Sequence, residues 1–230
     1  MITIKERLLA IKNDIKKSAQ GCNRNPEEII LIGVSKKKEA KTVIQGIDAG
    51  LETLGENYIQ EAMDKIDTIG KKRASWHFIG HLQSNKAKFA VNYFDLIHTV
   101  DKLKLAKEIN KQAEKINKTQ AILMQINISE EDSKSGVSAD DALVLAEEIS
   151  KFNNLSLKGL MCMPPFFDNP EKARPYFKAL AEIKATIEQA DIANISMEHL
   201  SMGMSYDFMV AIEEGATMVR IGTAVFGERA

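Results

Sequence analysis

Ile29-Ile30-Leu31-Ile32-Gly33-Val34-Ser35-Lys36 is the stretch that decides the fold. Its first six residues are mostly branched aliphatics with no polar alternation, which predicts a strand buried on both faces, as in parallel sheets. A lysine just past the carboxyl end of such a strand stands where α/β folds place their ligand sites. Outward from this stretch, strand-like runs recur at 51–55, 75–80, 95–100, 120–127, 157–163, 197–201 and 217–222. Amphipathic patterns fill 39–49, 57–69, 83–91, 102–116, 139–152, 170–190 and 206–214 between them. Ahead of the first strand, Ile4, Leu8, Leu9, Ile11 and Ile15 have helical spacing as far as Gly21.

Strict alternation of strand and helix implies a parallel sheet with right-handed crossovers. Eight such strands in 230 residues point to an α/β single-domain (β/α)8 TIM barrel over residues 1–230. A doubly wound open sheet is the rival. The chain reaches Ala230 a few residues after strand eight, so no helix is expected there. The extra N-terminal helix is expected to cover that seam.

Composition narrows the function. The 44% hydrophobic content suits a globular core, and 31 basic against 32 acidic residues give a net charge of −1. That balance argues against nonspecific binding to nucleic acid or membrane. No apolar run reaches bilayer length, and no secretory h-region opens the chain. Cys22 and Cys162 are far apart and have no metal-ligand spacing, so a reducing cytoplasm is the expected setting. A monomer is the expected state.

In such a barrel, working residues lie after strands. Lys36 is followed by Lys37 and Lys38. A solvated basic patch is one reading of the three. The other starts from their position before a helix, which disfavours cations and calls for a compensating anion such as phosphate. Leu200-Ser201-Met202-Gly203-Met204-Ser205 and Val219-Arg220-Ile221-Gly222-Thr223 end strands seven and eight, where barrels often bind phosphate. Tight strand-to-helix turns explain the same glycines. Arg220 alternates with Val219 and Ile221 and so faces the opposite side, where an arginine must be paired. Its partner is either a pyridine nitrogen or an internal carboxylate such as Glu198 or Glu56. Lys36 with an aldehyde, and the two turns with a phosphate, together suggest pyridoxal 5'-phosphate (PLP) held as a Schiff base. Arg220 at the ring nitrogen would leave it unprotonated and weaken the electron sink. Asn57 either bonds a ring hydroxyl or caps a helix, and His81 either lines the pocket or caps one. His77 reads as a satisfied core histidine. A strand separates it from His81, so zinc is discounted. Ser133-Lys134-Ser135-Gly136 reads as a mobile surface loop.

These segments, with Gly55-Glu56-Asn57-Tyr58-Ile59-Gln60-Glu61, Trp76-His77-Phe78-Ile79-Gly80-His81-Leu82-Gln83-Ser84-Asn85-Lys86, Gly159-Leu160-Met161 and Phe226-Gly227, resemble the pyridoxal phosphate homeostasis protein family. That family is related in fold to the N-terminal barrel of alanine racemase. The resemblance implies that Lys36 bonds PLP covalently and that Ser201, Gly203, Gly222 and Thr223 surround its phosphate. It also implies that Arg220 faces the ring nitrogen while Asn57 and His81 border the ring. Lys37 and Tyr206 stand where the family usually has other residues. Alanine racemase completes its site with a second domain that brings a tyrosine acid–base, and this chain has no room for one. The reading is a PLP carrier that buffers B6 vitamers, or delivers cofactor to PLP-dependent apo-enzymes, without turnover. A low-activity PLP-dependent amino acid racemase is the alternative, and a Schiff-base aldolase the third. Lys37, Lys38 and Lys134 are candidate transient captors of the aldehyde.

Overall fold

The computed structural model describes residues 2–129 and 135–228. Its eight parallel strands close into one barrel in chain order, β1 pairing with both β2 and β8. The strands are β1 (Ile30–Val34), β2 (Thr53–Glu56), β3 (Ser75–Phe78), β4 (Leu96–Val100), β5 (Gln120–Ile126), β6 (Leu155–Cys162), β7 (Ile195–Ser201) and β8 (Met218–Ile221). All eight coincide with strands expected from the sequence, and closure excludes the open doubly wound sheet.

The helices are α1 (Ile4–Gly21), α2 (Ala40–Asp48), α3 (Ile59–Ile69), α4 (Ala87–Tyr93), α5 (Leu103–Glu114), α6 (Ala139–Ser150), α7 (Arg174–Gln189), α8 (Phe208–Glu213) and α9 (Thr223–Phe226). Each lays an apolar stripe on the barrel, as α1 does with Leu8, Ile11, Ile15 and Ala19. Thr3 starts α1 with a capping box, its hydroxyl accepting from the Glu6 N–H while the Glu6 carboxylate accepts from the Thr3 N–H. The pattern over 170–190 divides into a 3-10 turn at Pro170–Ala173 and then α7, which carries Pro175 in its first turn, where proline fits.

One expectation needs correction. A helix does follow strand eight: α9, a single turn of four residues. It is too short to span the barrel wall as the other crossover helices do. The seam is closed by α1, which packs against α8, α9 and α2.

Two apolar layers result from strand alternation. Val219, Ile221, Leu54, Trp76 and Phe78 point outward and join the helices in the larger core. Ile32, Leu96, Leu123, Met161 and Met218 fill the barrel interior as a smaller cluster. On β4, β5 and β8 the next inward positions toward the carboxyl ends are polar, His98, Gln125 and Arg220, and the candidate site is built there. No helix among the described residues is long and apolar enough to cross a membrane.

Candidate functional site

β1 ends at Val34, and Ile30, Ile32 and Val34 form its inward row. Ser35, fully buried, faces the helices instead. Its hydroxyl donates to Glu56 Oε1 at 2.6 Å. Lys65 on α3 donates to the Ser35 carbonyl at 2.7 Å, to Glu56 Oε1 at 2.5 Å and to Glu61 Oε1 at 3.0 Å. Glu61 also accepts the backbone N–H of Lys37, and the Lys38 N–H closes a turn on the Ser35 carbonyl. Lys36 and Lys37 are therefore the central residues of a turn clamped from outside the barrel, with Lys37 in the left-handed region at φ 59°. Lys36 is half-buried and Lys37 exposed. Lys38 reaches across to the Gly227 and Glu228 carbonyls at 3.1 and 2.8 Å.

Burial dominates at Glu56 and raises its carboxyl above the ordinary value against the pull of Lys65 and Ser35. Replacing Lys65 by Met removes the cation and leaves that carboxyl stranded, which is expected to cost about 3 kcal/mol. Denaturant unfolding measures it, and a loss below about 1 kcal/mol would mean the pair does not hold the turn.

Arg220 is 4% exposed and faces inward, as the sequence alternation predicts. Neither Glu56 nor Glu198 is its partner. Glu56 follows the inward Gly55 and so points outward to Lys65, while Glu198 is paired at the surface with Lys158 at 2.8 Å. Instead, Arg220 Nη1 donates to Ser201 Oγ at 2.7 Å and Nη2 to the Cys162 carbonyl at 2.8 Å. Among the described residues no carboxylate lies within ion-pair distance of the guanidinium. Burial lowers its pKa, opposed by the neighbouring Cys162 and Asp207. A guanidinium nevertheless stays protonated in proteins.

Ser201 is fully buried, and its hydroxyl meets both Arg220 and His98 Nδ1, the latter at 2.9 Å. His98 Nε2 meets His77 Nδ1 at 3.0 Å, and His77 Nε2 meets Ser75 Oγ at 3.2 Å. His77 is thus a satisfied core histidine, as expected. His98 went unnoticed in the sequence, although Leu96 and His98 occupy alternate positions of one strand. Burial pushes His77 down to about 3 and His98 well below its ordinary value, so both imidazoles are neutral. Burial also pushes the Cys162 thiol up to about 12, which silences it as a nucleophile.

The mouth above this centre is formed by the turns after the strands. Gly203 has φ +88°, and a Cβ there would lie 2.6 Å from Ala211 Cβ and 2.9 Å from Phe208 Cα. Seating α8 therefore requires glycine at this position. Gly222 is different: its φ is −105°, and a Cβ would meet nothing nearer than Val34 at 3.4 Å. The backbone does not demand glycine there, so the missing side chain leaves room beside β1. Thr223 is exposed at the first residue of α9, where helix N–H groups have no intrahelical acceptor. Asn57 is half-buried, and its Oδ1 is buried without a hydrogen-bond partner. It does not cap α3, whose preceding residue is Tyr58 with no side-chain cap. His81 is exposed, its Nδ1 3.4 Å from Ser135 Oγ, and it caps no helix. Tyr206, 71% exposed, meets Phe166 edge to face with centroids 5.7 Å apart on the rim. Beside them a cavity of about 400 Å3 runs between Asn127, Met163, Phe166 and Met204. Ser133 and Lys134 lie outside the described residues. Among those described, no cluster of His, Cys, Asp and Glu is able to hold a metal ion.

Comparison with known proteins agrees with this fold. The alanine racemase N-terminal domain family matches residues 8–230. The pyridoxal phosphate homeostasis protein of Aquifex aeolicus (strain VF5) is 41% identical over 224 residues, covering 97% of each chain. That of Escherichia coli (strain K12) is 41% identical over 236 residues, covering 100% of this chain and 98% of its own. This chain belongs to the pyridoxal phosphate homeostasis protein family. Among solved structures, PipY of Synechococcus elongatus PCC7942 with PLP bound superposes with a TM-score of 0.85 at 30% identity, over 98% of this chain and 100% of PipY. Alanine racemase of Clostridium difficile 630 shares the fold at a TM-score of 0.78 and 15% identity, over 98% of this chain and 56% of the racemase. Within the pyridoxal phosphate homeostasis protein family, then, this chain presents the barrel with a clamped lysine turn at the end of β1 and a buried arginine in β8.

Proposed function

We propose that this chain is a PLP-binding protein of cofactor homeostasis, one barrel domain over residues 1–230 that works in the cytoplasm and carries PLP on Lys36. The observation that carries the reading is Arg220, a buried cation hydrogen-bonded to a hydroxyl and a carbonyl, with no carboxylate within ion-pair distance among the described residues. When bound, PLP supplies an aldehyde that condenses with a primary amine, releasing water, and a pyridine ring that draws electron density. Lys36 supplies the amine from the clamped turn. Arg220 donates to the ring nitrogen and keeps a proton off it, because a guanidinium gives none up. The unpartnered Asn57 Oδ1 accepts from the ring hydroxyl.

Gly222 and Thr223 hold the phosphate with backbone N–H groups and a hydroxyl, in the room that glycine leaves beside Val34. Gly203 shapes the neighbouring turn. Ser201, whose hydroxyl is engaged beneath, contributes through Arg220. His81 borders the ring from the rim. Tyr58 is exposed, Tyr93 bonds Asp67 and Tyr176 stacks on Phe167, which leaves Tyr206 as the tyrosine of the rim among the described residues. Its edge-to-face seat on Phe166 suits a binding surface better than a proton shuttle. This favours buffering, or delivery to PLP-dependent apo-enzymes, over racemisation.

Incubating the purified chain with PLP, desalting it and recording its visible spectrum tests binding. Adding L- or D-alanine and following chirality tests turnover. Retained PLP with no inversion is expected, while inversion at about 1 per second or more would make the protein a racemase. Arg220→Glu sets a carboxylate at the ring nitrogen, so the absorbance of the bound cofactor is expected to shift as that nitrogen takes a proton. An unchanged spectrum would contradict the role given to Arg220.

A further inference from the structure

The polar string inside the barrel has a direction, and Arg220 sets it. A guanidinium donates hydrogen bonds and accepts none, so Ser201 Oγ is the acceptor in their 2.7 Å contact. Among the described residues the other neighbour of that hydroxyl is His98 Nδ1 at 2.9 Å. Ser201 is fully buried, so its hydrogen has no water to turn to. Protonating His98 at Nδ1 would aim two donors at Ser201 and leave its hydroxyl hydrogen without an acceptor, an arrangement that protein interiors avoid.

The proton of His98 therefore sits on Nε2 and points at His77 Nδ1, 3.0 Å away. His77 in turn carries its proton on Nε2 and donates to Ser75 Oγ at 3.2 Å. Every bond in the series then runs the same way, from β8 through β7 and β4 to β3. We infer that Arg220 fixes both buried imidazoles as Nε2–H tautomers, and that His98, acting through Ser201, is a positioning residue for the guanidinium. This rests on the reading of Arg220 as the group facing the ring nitrogen.

The consequence for the site is specific. Two neutral imidazoles and a hydroxyl orient the cation without neutralising it, as a carboxylate would. Only two of the five guanidinium N–H donors are used by Ser201 and the Cys162 carbonyl, so the others remain for a ligand acceptor. The low pKa values of His77 and His98 agree with imidazoles that stay neutral beside Arg220. His199, which also lowers both, and Asp207 and Cys162, which act on Arg220, are the other titratable groups around this layer among the described residues.

Long-range proton–nitrogen correlation on the full chain, labelled with 15N-histidine, reads the tautomers directly, with and without PLP. His77 and His98 are expected as Nε2–H forms in both states, unchanged from about pH 5.5 to 8.5. A proton on Nδ1 of His98 in either state would overturn the inference. His98→Asn, whose amide oxygen can accept from Ser201 at the place of Nδ1, is expected to keep PLP affinity within about twofold and the same absorbance maximum. His98→Leu is expected to weaken PLP by about tenfold and to move that maximum. Equal affinity and spectrum in the Leu variant and the unmodified chain would remove the positioning role. Failure of the unmodified chain to take up PLP would instead strike the proposed function, and the tautomers would still decide the relay.

Discussion

Lys36→Ala is expected to abolish the borohydride-fixable PLP adduct while leaving weaker, noncovalent uptake. Two of the neighbouring amines are already engaged. Lys38 is committed to the carbonyls of Gly227 and Glu228. Lys65 is buried in its pair with Glu56. Lys37 is exposed, and its backbone is held by Glu61. Lys36 follows β1, which pairs with β8 through Ile32 opposite Arg220 and Gly33 opposite Ile221. Residual uptake follows from the turn at Gly222 and Thr223, which the substitution leaves intact. Reduction followed by intact-mass measurement checks this. A full-strength adduct in the Ala variant would place the aldehyde on another amine.

The second large effect is acid instability. His77, held down to about 3, and His98, held well below its ordinary value, bind no proton in the folded chain at mildly acidic pH. In the unfolded chain both titrate near about 6.5. Between these values the unfolded state binds more protons, so stability falls as pH falls through this window. Each silent imidazole contributes about 1.4 kcal/mol per pH unit, and the two together about 2.7 kcal/mol per unit, from roughly pH 6 downward. Denaturant unfolding at stepped pH measures the slope, and His77→Gln should lower it by about half. Glu56 and Asp207, whose carboxyls burial raises, oppose this slope, so the comparison decides it: a slope between about pH 6 and 4 that His77→Gln leaves unchanged would mean that the imidazole takes up its proton in place.

The barrel was legible because its strands are buried on both faces and read as unbroken aliphatic runs, Ile29–Val34 most clearly. The inward aim of Arg220 also followed from sequence, since one charged residue between Val219 and Ile221 fixes the alternation. Its partners did not follow. Those come from β6 and β7, and pairing across a barrel depends on register, which shifts at the irregularity between Leu157 and Gly159. His98 carried a usable signal, an imidazole at an inward position of a strand whose neighbours Leu96 and Ile97 are apolar. Lys65 carried one too, lying with Ala62, Ile66 and Ile69 on the buried stripe of α3. Its meaning depended on Glu56 standing opposite, which only the closed barrel reveals. Ser201 was read as a group touching phosphate because it ends a strand. Its full burial comes from the side chains of β4 and β8 that close over it.

Peptide mapping of the unmodified chain after incubation with PLP and borohydride reduction tests the central claim most directly. The account predicts one modified peptide, with the reduced pyridoxyl group on Lys36. A chain that retains PLP but carries the group on Lys37, Lys134 or no lysine at all would contradict it.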